Sequence, residues 1–247
     1  MLALVAVLAF QVPDWAIPGS PTHQQVPPPP GFHRVTRTEE IPIGLFAGQS
    51  DIGAALVPGS SRYESDRHRY ILQSAGYNVW YTRDEFRYLW RKTTGDCAIA
   101  ATAQFPVPGG YYDRMAVLAI RASLDDDAKE VVAVLHGAGI IHLSGRSAPG
   151  TSLHRAARLK VGEVTGPETQ RFGLRKQGDK FQLLVSLSGE PLHPAGDPLV
   201  LPFQGDFYVG IGACSHEPAT LDTVVLSDVT LDLGNEAARA VHALPAP

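Results

Sequence analysis

The chain of 247 residues contains only two cysteines and has no excess of basic over acidic residues. Its formal net charge is −4, with 21 Lys and Arg against 25 Asp and Glu. Proteins that bind nucleic acid usually carry a stripe of Lys and Arg. Because this sequence has none, we expect no nucleic-acid partner. The only cysteines, Cys97 and Cys214, lie in expected strands. The sequence leaves open whether they form a disulfide or stay as buried free thiols.

Long hydrophobic runs are also missing. The run LALVAVLAF near the N-terminus spans about nine residues, which is too short to cross a bilayer but typical of a signal-peptide core. We therefore expect a signal peptide over residues 1–16, no transmembrane segment, and a secreted or periplasmic protein. A Pro-rich extended linker is expected over 17–34, where four prolines are consecutive, and a C-terminal tail over 235–247.

Catalytic and metal-binding motifs are absent from the sequence as well. It contains no G-x-S-x-G and no H-E-x-x-H, and its histidines lack metal-ligand spacing. The acids cluster in turns, so no strand carries the paired carboxylates of a glycosidase. Asp125 and Asp127, in the run DDD, are the candidates for Ca²⁺, with an exposed polar turn as the alternative. No other cofactor is expected.

The chain does contain many short segments with the alternation of β-strands. MAVLAIR, EVVAVLH and IIHLSGR follow one another closely, and the last two are joined by Gly137-Ala138-Gly139, which predicts a hairpin turn. DEFRYLW fits either a helical turn or the start of a strand. Since no long amphipathic helix is indicated, we predict one all-β domain over 35–234, a two-sheet antiparallel sandwich.

Ionisable and planar side chains share one face of the three consecutive strands. Alternation puts Arg121 and Arg146 at one end of this face and His136 and His142 at the other. We hypothesise that the face is concave and that its ligand-binding residues, together with those before the next strand, are Arg121, His136, His142, Arg146, Trp80, Tyr77 and Asn78. Three alternatives stay open: arginines paired with Asp125 or Asp127, a turn histidine at His136, and a core tryptophan at Trp80.

The order of several short motifs resembles that of a concanavalin A-like lectin/glucanase jelly-roll domain over residues 43–233. It is most similar to the poorly characterised type found alone or ahead of TolB-like propellers, within the regulation-of-enolase-like group. The most specific motifs are Asn78-x-Trp80, Asp84 to Asp96, and Arg121 through His136-Gly137. The resemblance implies an antiparallel jelly roll with a carbohydrate-related or cell-surface role. It brings no catalytic residues, and the acidic strand motif of the family-16 glucanases is missing.

The sequence thus leads to three functional hypotheses. The first is an exported lectin-like module that binds a glycan or a cell-envelope polymer on the concave face. The second is a sugar-active hydrolase or lyase that uses His136 or His142 as acid and base near neutral pH. The third is a structural domain that docks an envelope protein. The sequence leaves open whether any reaction is catalysed.

Overall fold

The computed structural model describes residues 35–164 and 166–234. The expected signal peptide, the linker and the C-terminal tail therefore lie outside the described residues. Within those two ranges no helix is long and apolar enough to cross a membrane. Their elements are a short 3-10 helix (Ser65–Arg67) and the strands β1 (Arg37–Glu39), β2 (Gly48–Ile52), β3 (Ser60–Glu64), β4 (Arg69–Ser74), β5 (Val79–Trp80), β6 (Arg83–Asp84), β7 (Phe86–Thr93), β8 (Cys97–Gln104), β9 (Met115–Arg121), β10 (Glu130–His136), β11 (Ile140–Arg146), β12 (His154–Lys160), β13 (Thr169–Gln177), β14 (Lys180–Ser186), β15 (His193–Pro194), β16 (Leu199–Val200), β17 (Phe207–Cys214) and β18 (Asp222–Leu233).

The strands form two large antiparallel sheets, so the predicted jelly-roll sandwich is confirmed. The front sheet has the order β1-β2-β7-β17-β9-β10-β11-β12, and the back sheet has the order β15-β14-β13-β8-β18-β4-β3, with β16 beside β14. Strands β5 and β6 make a separate two-stranded unit, which we call the cover hairpin. The segment DEFRYLW belongs to strands β6 and β7, not to a helical turn.

The main core lies between the two sheets and follows from the period-two alternation of the strands. On β9, Ala116, Leu118 and Ile120 point into this core, where they join Phe172 and Phe181 of the back sheet. The alternate residues of β9 point to the opposite side of the front sheet, which we call the outer face. Sequence patterning placed β9, β10 and β11 at the bounds that the structure shows.

The outer face is largely buried as well. A second apolar cluster covers it, in which Met115 and Val117 of β9 pack with Val79 of the cover hairpin and with Leu153. Both cysteines are buried free thiols. Cys97 belongs to the core between the sheets and Cys214 to the outer cluster, so the fold separates them.

Candidate functional site

Four ionisable side chains meet under the cover hairpin and form the buried charge cluster, Asp84, Arg121, Glu130 and Arg146. Strand register places Glu130 of β10 between Arg121 of β9 and Arg146 of β11. Arg146 donates to both carboxylate oxygens of Asp84, at 2.7 and 2.8 Å, and Arg121 donates to the same carboxylate at 2.7 Å. All four side chains are shielded from solvent.

The position of the two arginines corrects the sequence-based hypothesis for them. Arg121 and Arg146 do not line an open groove, because both are fully buried, ion-paired with Asp84 and in contact with the Glu130 carboxyl. Asp125 is a partner of Arg121 only through its backbone carbonyl, at 2.6 Å. The arginines instead hold Asp84, and thereby the cover hairpin, against the front sheet.

The two acids of the buried charge cluster differ in protonation state. Burial raises the pKa of the Glu130 carboxyl to about 8, against the opposing effect of Arg121 and with a further contribution from the Asp84 carboxylate. Burial also disfavours ionised Asp84, but Arg146 and Arg121 outweigh it and hold the pKa of Asp84 below its ordinary value. Near neutral pH the cluster therefore contains an ionised Asp84 and a protonated Glu130.

The raised pKa of Glu130 gives a pH-dependent stability. The pKa of Glu130 is about 8 in the folded protein and about 4.3 in the unfolded chain, so the protonated carboxyl stabilises the fold. This contribution is complete below about pH 4.3 and is lost as the pH rises to about 8. We expect the free energy of unfolding of Glu130→Gln, relative to the parent, to rise over this range by at most about 1.4 kcal/mol per pH unit. Urea unfolding at several pH values measures it, and a pH-independent difference would contradict the assignment.

A half-open pocket of about 340 Å³ lies at the opposite end of the outer face. We call it the histidine pocket. It is framed by the cover hairpin, by the loop before β9, by the adjoining ends of β10 and β11, by β12, and by His216 after β17. Its lining consists of Asn78, Val79, Trp80, Tyr81, Tyr111, Tyr112, Asp113, Met115, His136, Ile140, His142, Arg155, Arg158 and His216.

His136 and His142 form a hydrogen-bonded chain along the wall of this pocket. Nδ1 of His136 faces two acceptors of Asp113, the backbone carbonyl at 3.1 Å and a carboxylate oxygen at 3.3 Å, so Nδ1 carries the proton. The two Nε2 atoms lie 3.1 Å apart. In the neutral pair His142 therefore donates from Nε2, and its Nδ1 accepts from the Ser144 hydroxyl at 2.9 Å.

The charge state of this chain follows from its surroundings. Burial, together with His136, Arg155 and Arg158, holds the pKa of His142 well below its ordinary value, so His142 is neutral at physiological pH. Partial burial of Asp113 favours its neutral form. The hydrogen bond from His136 outweighs this, with a contribution from the nearby Arg155 charge, and lowers the pKa of Asp113. Asp113 is thus the one ionised acid among the lining residues.

Aromatic rings make the other walls of the pocket. Tyr112, 62% exposed, stacks on Tyr111 at 4.7 Å between ring centroids, and Tyr111 stacks on His216 at the same distance. The rings of Trp80 and His142 make an edge-to-face contact, with their centroids 5.8 Å apart. Tyr77 lies behind this surface, where its ring contacts His216 at 5.9 Å. Tyr77 therefore supports the ring stack rather than lining the pocket.

Asn78 contributes an unsatisfied acceptor. This lining residue is 5% exposed, and its side-chain oxygen has no hydrogen-bond partner among the residues described. A buried amide oxygen without a partner costs about 1–3 kcal/mol, so a ligand hydroxyl or amine that donates to it would gain affinity. Because this oxygen is shielded from solvent, a ligand would reach it only after a local shift of the pocket wall.

The structure thus brings together four of the seven residues proposed from sequence, Trp80, Asn78, His136 and His142. It adds lining residues that the sequence did not single out, chiefly Tyr111, Tyr112, Asp113, Arg155, Arg158 and His216. The two Ca²⁺ candidates lie elsewhere: Asp125 accepts from the Ser123 hydroxyl at 2.8 Å, and Asp127 lies 3.6 Å from Arg83. Within the described ranges no three His, Cys, Asp or Glu side chains are grouped to hold a metal ion.

Comparison with known proteins supports the fold. No protein-family model and no curated protein sequence matches the chain. Among solved structures it is similar to a functionally unknown protein from Saccharomyces cerevisiae, with 18% identity and a TM-score of 0.54 over 72% of this chain and 93% of that one. It is also similar to xylan β-1,4-xylosidase from Bacillus halodurans C-125, with 12% identity and a TM-score of 0.53 over 84% of this chain.

The match spans only 41% of the xylosidase chain. A carbohydrate-binding module from Bacillus subtilis, CBM66, aligns with 14% identity and a TM-score of 0.47 over 71% of this chain and 92% of that one. At identities below 25%, the two likenesses with TM-scores above 0.5 show the fold alone, a two-sheet jelly-roll sandwich. The narrower resemblance to the TolB-associated type stays a prediction.

Proposed function

We propose that the domain is a glycan-binding module that holds a saccharide in the histidine pocket. The observation that carries this proposal is the stack of aromatic rings at one wall of the pocket, which ends in the exposed ring of Tyr112. Ring faces such as that of Tyr112 pack on the C–H surfaces of a sugar, and the Asn78 oxygen accepts from a hydroxyl. The pocket volume lies at the lower end of the range of about 300–1,000 Å³ for small-ligand sites.

The histidine chain favours binding over acid–base catalysis. Each of the four ring nitrogens of His136 and His142 faces a protein partner, so in this arrangement neither imidazole offers a nitrogen to a bound molecule. A general acid or base has to lie within hydrogen-bonding reach of the proton that it transfers. We therefore assign the two histidines to the wall of the pocket.

Removing the exposed ring of the stack tests the proposal. Tyr112→Ala should weaken binding of the best ligand from a glycan panel at least about tenfold, because the sugar loses its stacking surface. Tyr112→Phe keeps the ring and should bind like the parent. The melting temperature of both variants should stay unchanged, since Tyr112 is exposed and its loss opens no cavity.

Two results would contradict the proposal. One is equal affinity of the parent and Tyr112→Ala for every ligand of the panel, which would place binding elsewhere. The other is turnover of a glycan, seen as new reducing ends or unsaturated products, that disappears in His136→Ala. That result would favour the hydrolase or lyase hypothesis.

We further infer that the protein is exported and binds a glycan or polymer of the cell envelope. The nine-residue apolar run near the N-terminus supports export. Fractionation of cells that express the full chain, with mass determination of the mature N-terminus, tests this inference.

A further inference from the structure

An irregularity in β12 puts two arginines side by side at the histidine pocket. Along the β11–β12 ladder, His142 pairs with Arg158 and Leu143 with Ala157, but the next pair is Ser144 with Arg155. Ala156 is therefore an extra residue, a β-bulge. Residues three apart in a regular strand point to opposite faces, and the bulge brings Arg155 and Arg158 onto the same one.

The two guanidinium groups are available to a ligand. Both arginines are exposed and line the pocket, and neither forms an ion pair with a carboxylate among the residues described. The guanidinium carbon of Arg155 lies 5.0 Å from the centroid of the Trp80 ring. Stacking uses the flat face of a guanidinium group and leaves its N–H edge free to donate.

The charge balance of the pocket favours an anion. Asp113 is the one acid of the lining, and its carboxylate is already engaged by His136. Arg155 and Arg158 therefore leave the lining with a net positive charge when every histidine is neutral. Guanidinium groups bind carboxylates through two parallel N–H···O bonds, a geometry that a neutral hydroxyl cannot match.

We propose that the histidine pocket selects an acidic saccharide and that Arg155 and Arg158 bind the carboxylate of a uronic acid residue. This inference rests on the glycan-binding function proposed above and names the class of glycan. The Tyr112 ring and the Asn78 amide hold the sugar, and the two arginines distinguish a free acid from its neutral counterpart.

Titration calorimetry with matched ligands tests the proposal. The probes are oligouronates, the same oligosaccharides methyl-esterified at the carboxylate, neutral oligosaccharides of equal length, and sulfated ones. The free acids should bind at least about tenfold more tightly than their esters. Arg155→Gln and Arg158→Gln should each lower the affinity for the free acids at least about fivefold, with little effect on the esters. Arg175→Gln, the same change on the back sheet, is the control and should bind like the parent.

Three other outcomes would contradict part or all of the proposal. Equal affinity for acids and esters would remove the carboxylate selectivity and leave the glycan-binding function standing. Tight binding of the sulfated probes alone, lost in the arginine variants, would replace the carboxylate by a sulfate. No binding of any saccharide would overturn the proposed function and this inference with it.

Discussion

Asp84→Asn should lower the free energy of unfolding by about 3–5 kcal/mol, the loss typical of breaking a buried ion pair on one side. The carboxylate of Asp84 accepts from both Arg121 and Arg146, and all three side chains are fully buried. An asparagine has no charge to offset two guanidinium groups and offers only one acceptor oxygen to them. Urea unfolding at about pH 7 measures the loss.

Glu130→Gln is the matched control within the same buried charge cluster. Because the Glu130 carboxyl is protonated near neutral pH, with a pKa of about 8, glutamine replaces a neutral group of the same shape. Its destabilisation at about pH 7 should be well below that of Asp84→Asn. Equal losses in the two variants would show that both acids are ionised there and would contradict the assignment.

Gly76→Ala should give the second large effect, on stability and on ligand binding together. A Cβ at this buried position would lie 1.9 Å from the carbonyl oxygen of Glu85 and 2.7 Å from the Cα of Phe86, and both are backbone atoms. Such a clash is relieved only by moving the chain, at a cost of about 1–3 kcal/mol or more. The Gly76 carbonyl also accepts from the backbone N–H of His216, so the shift reaches both sides of the histidine pocket.

Gly162→Ala supplies the control for this change. Gly162 is exposed, and an added Cβ there would meet no atom within 4 Å. Its effect on stability should stay within about 0.5 kcal/mol, and glycan binding should be unchanged. If Gly76→Ala bound glycans as tightly as Gly162→Ala does, the cover hairpin would have no part in the site.

Much of the front sheet was predictable because its strands are local patterns joined by short turns. The bounds of β9, β10 and β11 and the shared face of His136 and His142 all follow from alternation and one hairpin. The same alternation places Glu130 on this face between two arginines. If Glu130 had been assigned to this face with the arginines, the sequence would have predicted that Arg121 and Arg146 contact an acid and are not free for a ligand.

The remainder of the site depends on contacts between distant parts of the chain. Tyr112 and Asp113 precede β9 while His216 follows β17, and no short-range pattern brings these segments together. The segment HRAARLK has too little apolar alternation to indicate a strand, and the extra residue at Ala156 appears only once β12 pairs with β11. A single inserted residue decides which face an arginine occupies, so the sequence alone could not place Arg155 and Arg158 together.

Among the described residues, β12 is also the edge strand of the front sheet, and one side of its backbone has no neighbouring strand. An edge strand can pair with a strand from another molecule, and proteins commonly prevent this with charged side chains and irregular backbone. The bulge at Ala156 and the cationic residues Arg155, Arg158 and Lys160 provide both protections. A variant without the bulge and these charges would lose ligand binding. It would also have a regular, uncharged edge strand and would therefore tend to self-associate.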